Sequence, residues 1–276
     1  MFGSMVFRSP LPALVLGLLG CGSHPATTPE PPPPTNDKLT LRPVLHVGDK
    51  LVFHVEASID ASVNAQHAKA SLRLDDQVEI VSAAQVKETF SNVKADGDGE
   101  VADALKRVAV ALPTAAVTTS FDPNWQVASS TIDGTQDDEA RTMIMNLTPV
   151  VSFRMLPKDP VAIGDSWKNE WTEALRSEQG KGAGKVATNV RYALKAVAAC
   201  GGRRCATITG DGEDTIPPQN GMTGTSTFHG EQQVDVADMV PVSKLIESKT
   251  SMHGEQQGQP FDVTNVVTVR VQRGDK

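Results

Sequence analysis

Large aromatic rings are scarce in this chain: 3 Trp, 1 Tyr and 8 Phe among 276 residues. With Ala, Val and Thr recurring throughout, the composition favours β-strands lined by small side chains. Basic residues are also in deficit, 26 Lys and Arg against 33 Asp and Glu, a formal charge of −7, which argues against a nucleic-acid partner. Long apolar runs are absent. Leu11 to Gly20 is a short apolar stretch, too short for the roughly 20 residues that a bilayer span needs. The motif inventory of catalysis is empty too: there is no His-Glu-x-x-His helix, no phosphate-binding loop and no Gly-x-Ser-x-Gly elbow. A hydrophobic fraction of 39% against 21% charged residues excludes wholesale disorder.

The N-terminus is more informative. Arg8 precedes the apolar run, and Leu18-Leu19-Gly20-Cys21 closes it. This resembles the lipobox of bacterial lipoprotein signal peptides, which implies removal of residues 1–20 and acylation of the Cys21 sulfur. Two or three acyl chains, palmitate among them, hold a protein on a membrane where one is marginal. In that family an Asp after the Cys marks inner-membrane retention; Gly22 stands there instead, implying an outer-membrane lipoprotein facing the periplasm. From Gly22 to Lys38 the chain is rich in proline, with Pro31 to Pro34 consecutive. Residues 21–38 therefore read as a tether that reaches up to roughly 50 Å, and residues 39–276 as a single β-rich domain.

Assigning Cys21 to the anchor leaves an even pair, Cys200 and Cys205, consistent with an oxidising compartment. They flank Gly201-Gly202-Arg203-Arg204 between two strand-like runs, so the expectation is a hairpin with a four-residue loop and a disulfide between facing cysteines.

Within the domain, period two dominates. Leu51, Phe53, Val55, Ala57 and Ile59 alternate with mostly polar residues; Ala70, Leu72, Leu74, Val78 and Ile80 do the same, interrupted by Asp76. Val101, Leu105, Val108 and Leu112 switch to helical spacing, ended by Pro113. A second helix is expected over Asp137 to Leu147, with Asp137, Asp138 and Glu139 in its first turn and Met143 and Met145 on a soft apolar face. The second half is again β, up to Val263, Val267, Val269 and Val271 on one face of the last strand. The fold expected is mainly β (α+β): about ten strands in a large curved antiparallel sheet or unclosed β-barrel with two covering helices. Gly48-Asp49 and Gly164-Asp165 each follow a Pro-Val by a few residues and precede a strand, a faint echo of two halves, 39–158 and 159–276.

Pro160-Val161-Ala162-Ile163-Gly164-Asp165-Ser166-Trp167, with the Cys200/Cys205 hairpin and the β C-terminus, is similar to a family of bacterial lipoproteins of unknown function; the resemblance runs loosely over residues 44 to 272. The element pattern also looks like the unclosed barrels of periplasmic lipoprotein carriers and of mycobacterial lipid-carrying lipoproteins. Gly164-Asp165-Ser166 resembles the nucleophile block of GDS-type esterases, but the Asp-x-x-His that such enzymes carry near the C-terminus is missing, so a turn is expected. His229-Gly230-Glu231-Gln232-Gln233 is repeated as His253-Gly254-Glu255-Gln256-Gln257; if the two paired, their His and Glu would converge on a transition metal, whereas solvated strand ends need no metal. Arg203 and Arg204 are expected to stay wet at a loop tip.

The reading is a noncatalytic, membrane-anchored envelope lipoprotein without cofactor, metal or nucleic-acid partner. It binds a lipid or other hydrophobic ligand in a sheet groove, for which Val101, Leu105, Val108, Leu112, Met143 and Met145 are the candidate lining residues; the alternative is a structural or protein-interaction lipoprotein with no small ligand. Replacing Cys21 with Ser is expected to abolish incorporation of labelled palmitate and to move the protein from the membrane fraction to the soluble one, as read by fractionation of metabolically labelled cells.

Overall fold

The computed structural model describes residues 37–274 apart from 65, 136, 138–139, 142–143, 145–150, 154, 175–184, 220–221 and 257–258. Cys21, the proline-rich tether, Met143 and Met145 lie outside the described residues. No helix among the described residues is long and apolar enough to cross a membrane.

Eleven strands form one antiparallel sheet: β1 Lys50–Val63, β2 Gln66–Ser82, β3 Gln85–Gly97, β4 Ala116–Phe121, β5 Val127–Asp133, β6 Ser166–Ala174, β7 Lys185–Cys200, β8 Arg203–Gln219, β9 Met222–Asp235, β10 Pro241–Gln256 and β11 Gln259–Arg273. Their spatial order is β5-β4-β3-β2-β1-β11-β10-β9-β8-β7-β6. Two sequential meanders are thus fused where the first strand pairs with the last, Val55 opposite Val271 and Ala57 opposite Val269. Strands β5 and β6 remain as edges, so the sheet does not close into a barrel.

The twist of so many strands coils the sheet, and its inner face carries two apolar clusters. One gathers Phe53, Val86 and Phe121 from the first meander with Tyr192, Leu194 and Ile208 from the second. The other holds Leu72, Leu74 and Phe90 under the helix α1, Gly99–Ala111, through Leu105 and Val108, with Leu112 just past its end. The strand patterns follow: along β1, Leu51, Phe53 and Ala57 are buried while Val52, His54 and Ser58 are exposed.

Strand β5 lies at one edge and β6 at the other, so the chain between them must cross the sheet. It does so with apolar residues turned into the first cluster: Val151, Phe153, Met155 and Leu156 are all buried there. Phe153 meets Phe121 and Trp125 edge-on, each at 5.2 Å between centroids. Trp167 Nε1 donates to the Met155 carbonyl (2.9 Å), and Leu39 bridges Val161.

The echo between the halves has a geometric counterpart. Gly48 (φ +91°) and Gly164 (φ +95°) occupy the left-handed region, where a Cβ is costly. Gly48 N–H donates to Ile80 O and Ile80 N–H to Asp49 O; Gly164 N–H donates to Leu194 O and Leu194 N–H to Asp165 O, all between 2.8 and 3.1 Å. The same turn therefore opens each meander.

The eleven strands agree with the expected count of about ten. Three boundaries are corrected: β8 runs past Gly210 to Gln219, where the period-two signal fails because Gly210 and Gly212 place no side chain on the inner face. The Tyr192 ring fills the space, and a Cβ on Gly210 would stand 2.5 Å from it. One helix, α1, is complete among the described residues, and Leu112–Thr114 continues it as a 3-10 turn with Pro113 at its start. Of the second, Ala140, Arg141 and Ile144 are helical, and Asp137 is its cap instead of a first-turn residue, its Oδ1 accepting from Ala140 N–H at 3.0 Å.

Asp76, which interrupted the apolar side of β2, does face inward. It and Glu88 on β3 are both fully buried, one register step apart, with Asp76 opposite Phe90 and Val78 opposite Glu88. Burial drives the Asp76 pKa well above the usual carboxylate range, and the neighbouring charge of Glu88 adds to this. The folded protein thus keeps a proton that the unfolded chain releases: the stabilisation is complete below the ordinary carboxylate range and is lost as pH rises through the elevated value. Asp76→Asn mimics the protonated acid. Its melting temperature at about pH 8 is expected to exceed the wild type's by a few degrees, with the two converging near about pH 4 in thermal scans.

Candidate functional site

Strand register arranges the inner face in rows. Val55, Val271, Lys244, Gln232, Ile208 and Leu194 form one; Ala57, Val269, Ile246, Gly230, Gly210 and Tyr192 the next; then Ile59, Val267, Ser248, Phe228, Gly212 and Val190. A polar row follows, Asn265, Thr250, Ser226 and Asp214, in which Ser226 and Thr250 hydroxyls lie 3.1 Å apart. Val63, Val263, Met252, Gly224 and Ile216 make the last. Ile246, Val267, Val263 and Met252 are half-buried, yet they belong to neither apolar cluster and pack against neither. They form an apolar strip along the centre of the sheet, where β1 and β11 join the two meanders.

The groove residues expected from the sequence sit elsewhere. Leu105, Val108 and Leu112 are each 1% exposed and Val101 is half-buried beside them, all packed with Leu72, Phe90, Val117 and Ile132. They hold α1 to β2 and β3 as filled core. A helical stripe has the same appearance in sequence whether it faces a core or a ligand.

Cys200 and Cys205 are bonded, with Cα atoms 5.9 Å apart, but the hairpin differs from the expected one. Cys200 pairs with Arg203 across a two-residue Gly201-Gly202 turn, both glycines at positive φ, and Cys205 pairs with Ala198. The cysteines are therefore diagonal neighbours on one face. Arg203 is not a wet tip residue: its Nε lies 3.5 Å from Asp235 Oδ2 and its side chain is largely covered.

Ser166 opens edge strand β6 in the turn that begins the second meander, where Asp165 Oδ2 accepts from Ala162 N–H (2.9 Å). His229 lies on β9, three strands away, or about 14 Å at normal strand spacing. The two His-Gly-Glu-Gln-Gln segments do not pair with each other, because His229 stands opposite Glu247 and His253 opposite Thr223. His229 Nδ1 instead meets Asp211 Oδ1 at 2.7 Å. No group of three or more metal-ligating side chains exists among the described residues.

The outer face is polar and holds a recess of about 680 Å³. In it, Asp75 bonds His54 Nδ1 and Asn92 Nδ2, both at 2.6 Å, while Arg73 Nε donates to Glu56 at 3.0 Å. Those bonds, Asn92's first, lower the Asp75 pKa. Asn92 reaches Asp75 because it sits at φ +52° where the β2–β3 register slips between Arg73 and Asp75, a bulge that residue alternation does not reveal.

No protein-family model matches the chain, and no curated protein matches it by sequence. Among solved structures it is similar to a lipovitellin determined for its lipid–protein interactions, with 10% identity and a TM-score of 0.48 over 83% of this chain. The chain spans about a quarter (25%) of that lipovitellin's length. It is also similar to the hypothetical lipoprotein YmcC of Escherichia coli K12, with 11% identity and a TM-score of 0.27 over 76% of this chain and 85% of that one.

Because Leu105 is core, Leu105→Ala is expected to cost about 3 kcal/mol in equilibrium urea unfolding. The lipid content of the purified protein should be unchanged; a drop without loss of stability would return α1 to the binding surface.

Proposed function

We propose that the chain is a noncatalytic lipoprotein of the cell envelope, anchored through Cys21 and facing the periplasm of an outer membrane, that binds a hydrophobic ligand on the inner face of its open sheet. The observation that carries this is the strip of Ile246, Val267, Val263 and Met252, apolar and half-buried yet outside both core clusters. Each such side chain gains on the order of 1 kcal/mol or more by leaving water, so a ligand that covers several is bound without new polar contacts. The open edges at β5 and β6 let the coiled sheet widen without breaking a strand pair. This reading resembles the carriers named from the sequence only in architecture, and architecture does not assign function.

A second reading is favoured by the same two edges. Each offers backbone groups to an added strand, as an interaction lipoprotein with no small ligand would.

The two part on one measurement. Residues 22–276, exported behind a cleavable secretory leader so that no anchor contributes acyl groups, are purified without detergent and examined by native mass spectrometry with organic extraction. A stoichiometric co-purifying lipid is expected, reduced at least about fivefold by Met252→Asp. A clean apo protein that also fails to take up a fluorescent fatty acid would rule out the carrier role and favour strand addition.

A further inference from the structure

The turn that opens each meander carries a branched apolar residue just before its glycine: Val47 in the first and Ile163 in the second, 66% and 41% exposed. Turn tips ordinarily hold Gly, Pro, Asn, Asp or Ser, and an apolar side chain left in water there gains nothing from folding. An even number of antiparallel steps separates β1 from β6, so both turns stand at the same end of the sheet. Val81, next to the Ile80 whose carbonyl accepts from Gly48 N–H, is exposed at that end. So is Val44, whose N–H donates to Asp238 O between β9 and β10. Elsewhere among the described residues the large apolar side chains so exposed are Val52, Val63 and Val110. Cations flank the tips. Arg42 and Lys158 line a recess beside Trp125, and Lys168 stands on β6 opposite Arg191. Arg42, Lys158 and Lys168 are exposed, and none has an ion-pair partner among the described residues. The carboxylates of the same turns are tied to their own backbones. Asp122 accepts from Asn124 and Gln126 N–H, Asp165 from Ala162, Asp235 from Ala237 and Asp238 from Val240; Asp159 is the exposed one left unbonded. The chain as a whole carries −7, so these cations are a local arrangement and not a general excess.

Separate apolar tips set among cations, instead of one continuous apolar patch, suit a fluid surface that needs no fixed complementary shape. The chain also enters the domain at this end: Leu39, 18 residues after Cys21, bridges Val161, two residues before Ile163. Resting on the reading that Cys21 is the membrane anchor, we propose that this end of the sheet docks on the bilayer surface. Val47 and Ile163 enter the boundary between head groups and acyl chains, and Arg42, Lys158 and Lys168 meet anionic lipid phosphates. Weak contacts suffice, because an anchored domain meets the surface at an effective concentration that is roughly millimolar. Met252 and Val263 stand toward the opposite end of β10 and β11, so a docked domain holds the apolar strip away from the surface that anchors it.

The test reads depth at single sites. Cys200 and Cys205 are bonded to each other and Cys21 is the acylated one on this reading, so an introduced cysteine takes a thiol-reactive NBD probe alone. The acylated protein with Val47→Cys, Ile163→Cys or, at the opposite end, Val63→Cys is labelled and reconstituted in phosphatidylethanolamine and phosphatidylglycerol vesicles that contain a nitroxide-bearing lipid. Quenching at 47 and 163 is expected to exceed that at 63 at least about threefold, as insertion of the tips requires. Arg42→Glu together with Lys158→Glu should remove most of that excess, as should replacing phosphatidylglycerol by phosphatidylcholine. An excess that survives both changes overturns the part given to the cations. Equal quenching at all three positions, in protein that stays with the vesicles, overturns the docking and leaves the anchor intact. A probe at position 47 that is blue-shifted yet unquenched means that a second copy covers this end, and overturns the bilayer as its occupant. Failure to incorporate labelled palmitate overturns the anchor; the same labels on the unacylated chain of residues 22–276 then decide the docking, which fails if the vesicles quench none of them. Circular dichroism melts confirm that each variant is folded, and the three cysteine positions decide the matter even if the charge variants do not fold.

Discussion

The structure depends on one strand pair. Register between β1 and β11 runs without a slip from Phe53 opposite Arg273 to Val63 opposite Val263, and it alone makes two meanders into one sheet. Because β1 comes near the start of the domain and β11 at its end, that ladder is also the longest-range contact in the fold, and its closure costs the most chain entropy. Its residues, Val, Ala and Ile on the inner side, supply the compensating burial where Val55 and Val269 pack against both clusters. The apolar strip of Ile246, Val267, Val263 and Met252 lies on or beside this seam.

The consequence of the seam is that the strands farthest apart in the sheet, β5 and β6, are consecutive in the chain. The connection between them cannot run along an edge. It enters the coiled sheet instead and becomes part of the core, with Phe153 wedged between Phe121 and Trp125. Val151, Phe153, Met155 and Leu156, which belong to no strand, thereby form part of the core. The matching turns at Gly48 and Gly164 open the two meanders, which follow each other along the sheet in the same direction, as two similar halves placed side by side would.

Charge on the inner face is the feature that separates this interior from an inert one. Asp76 and Glu88 occur among the residues that pack β2 and β3, while Lys244 and Arg273 occupy the β10–β11 side. Burying such groups is rarely the cheapest way to stabilise a sheet. The acids bear on how stability varies with pH. Outside, the same strands present Ser, Thr and ion pairs such as Arg73 with Glu56, the ordinary solvated face of an antiparallel sheet.

Alternation in Leu51 to Ile59, in Ala70 to Ile80 and in Val263 to Val271 is a property of local sequence, since successive side chains in a strand must point to opposite faces; so the mainly β class, the antiparallel strands and helix α1 were legible from residues alone. So was the pairing of Cys200 with Cys205, although the Gly201-Gly202 turn that makes them diagonal depends on backbone conformation. What spacing cannot carry is which strands meet. The distance between His229 and His253, the burial of Leu105 against β2, and the alignment of Ile246 with Val269 and of Met252 with Val263 all follow from register between strands. Local periodicity determines the face a residue occupies; only the tertiary pairing decides its neighbours, because a one-residue slip in register preserves the composition of each strand and changes every contact it makes.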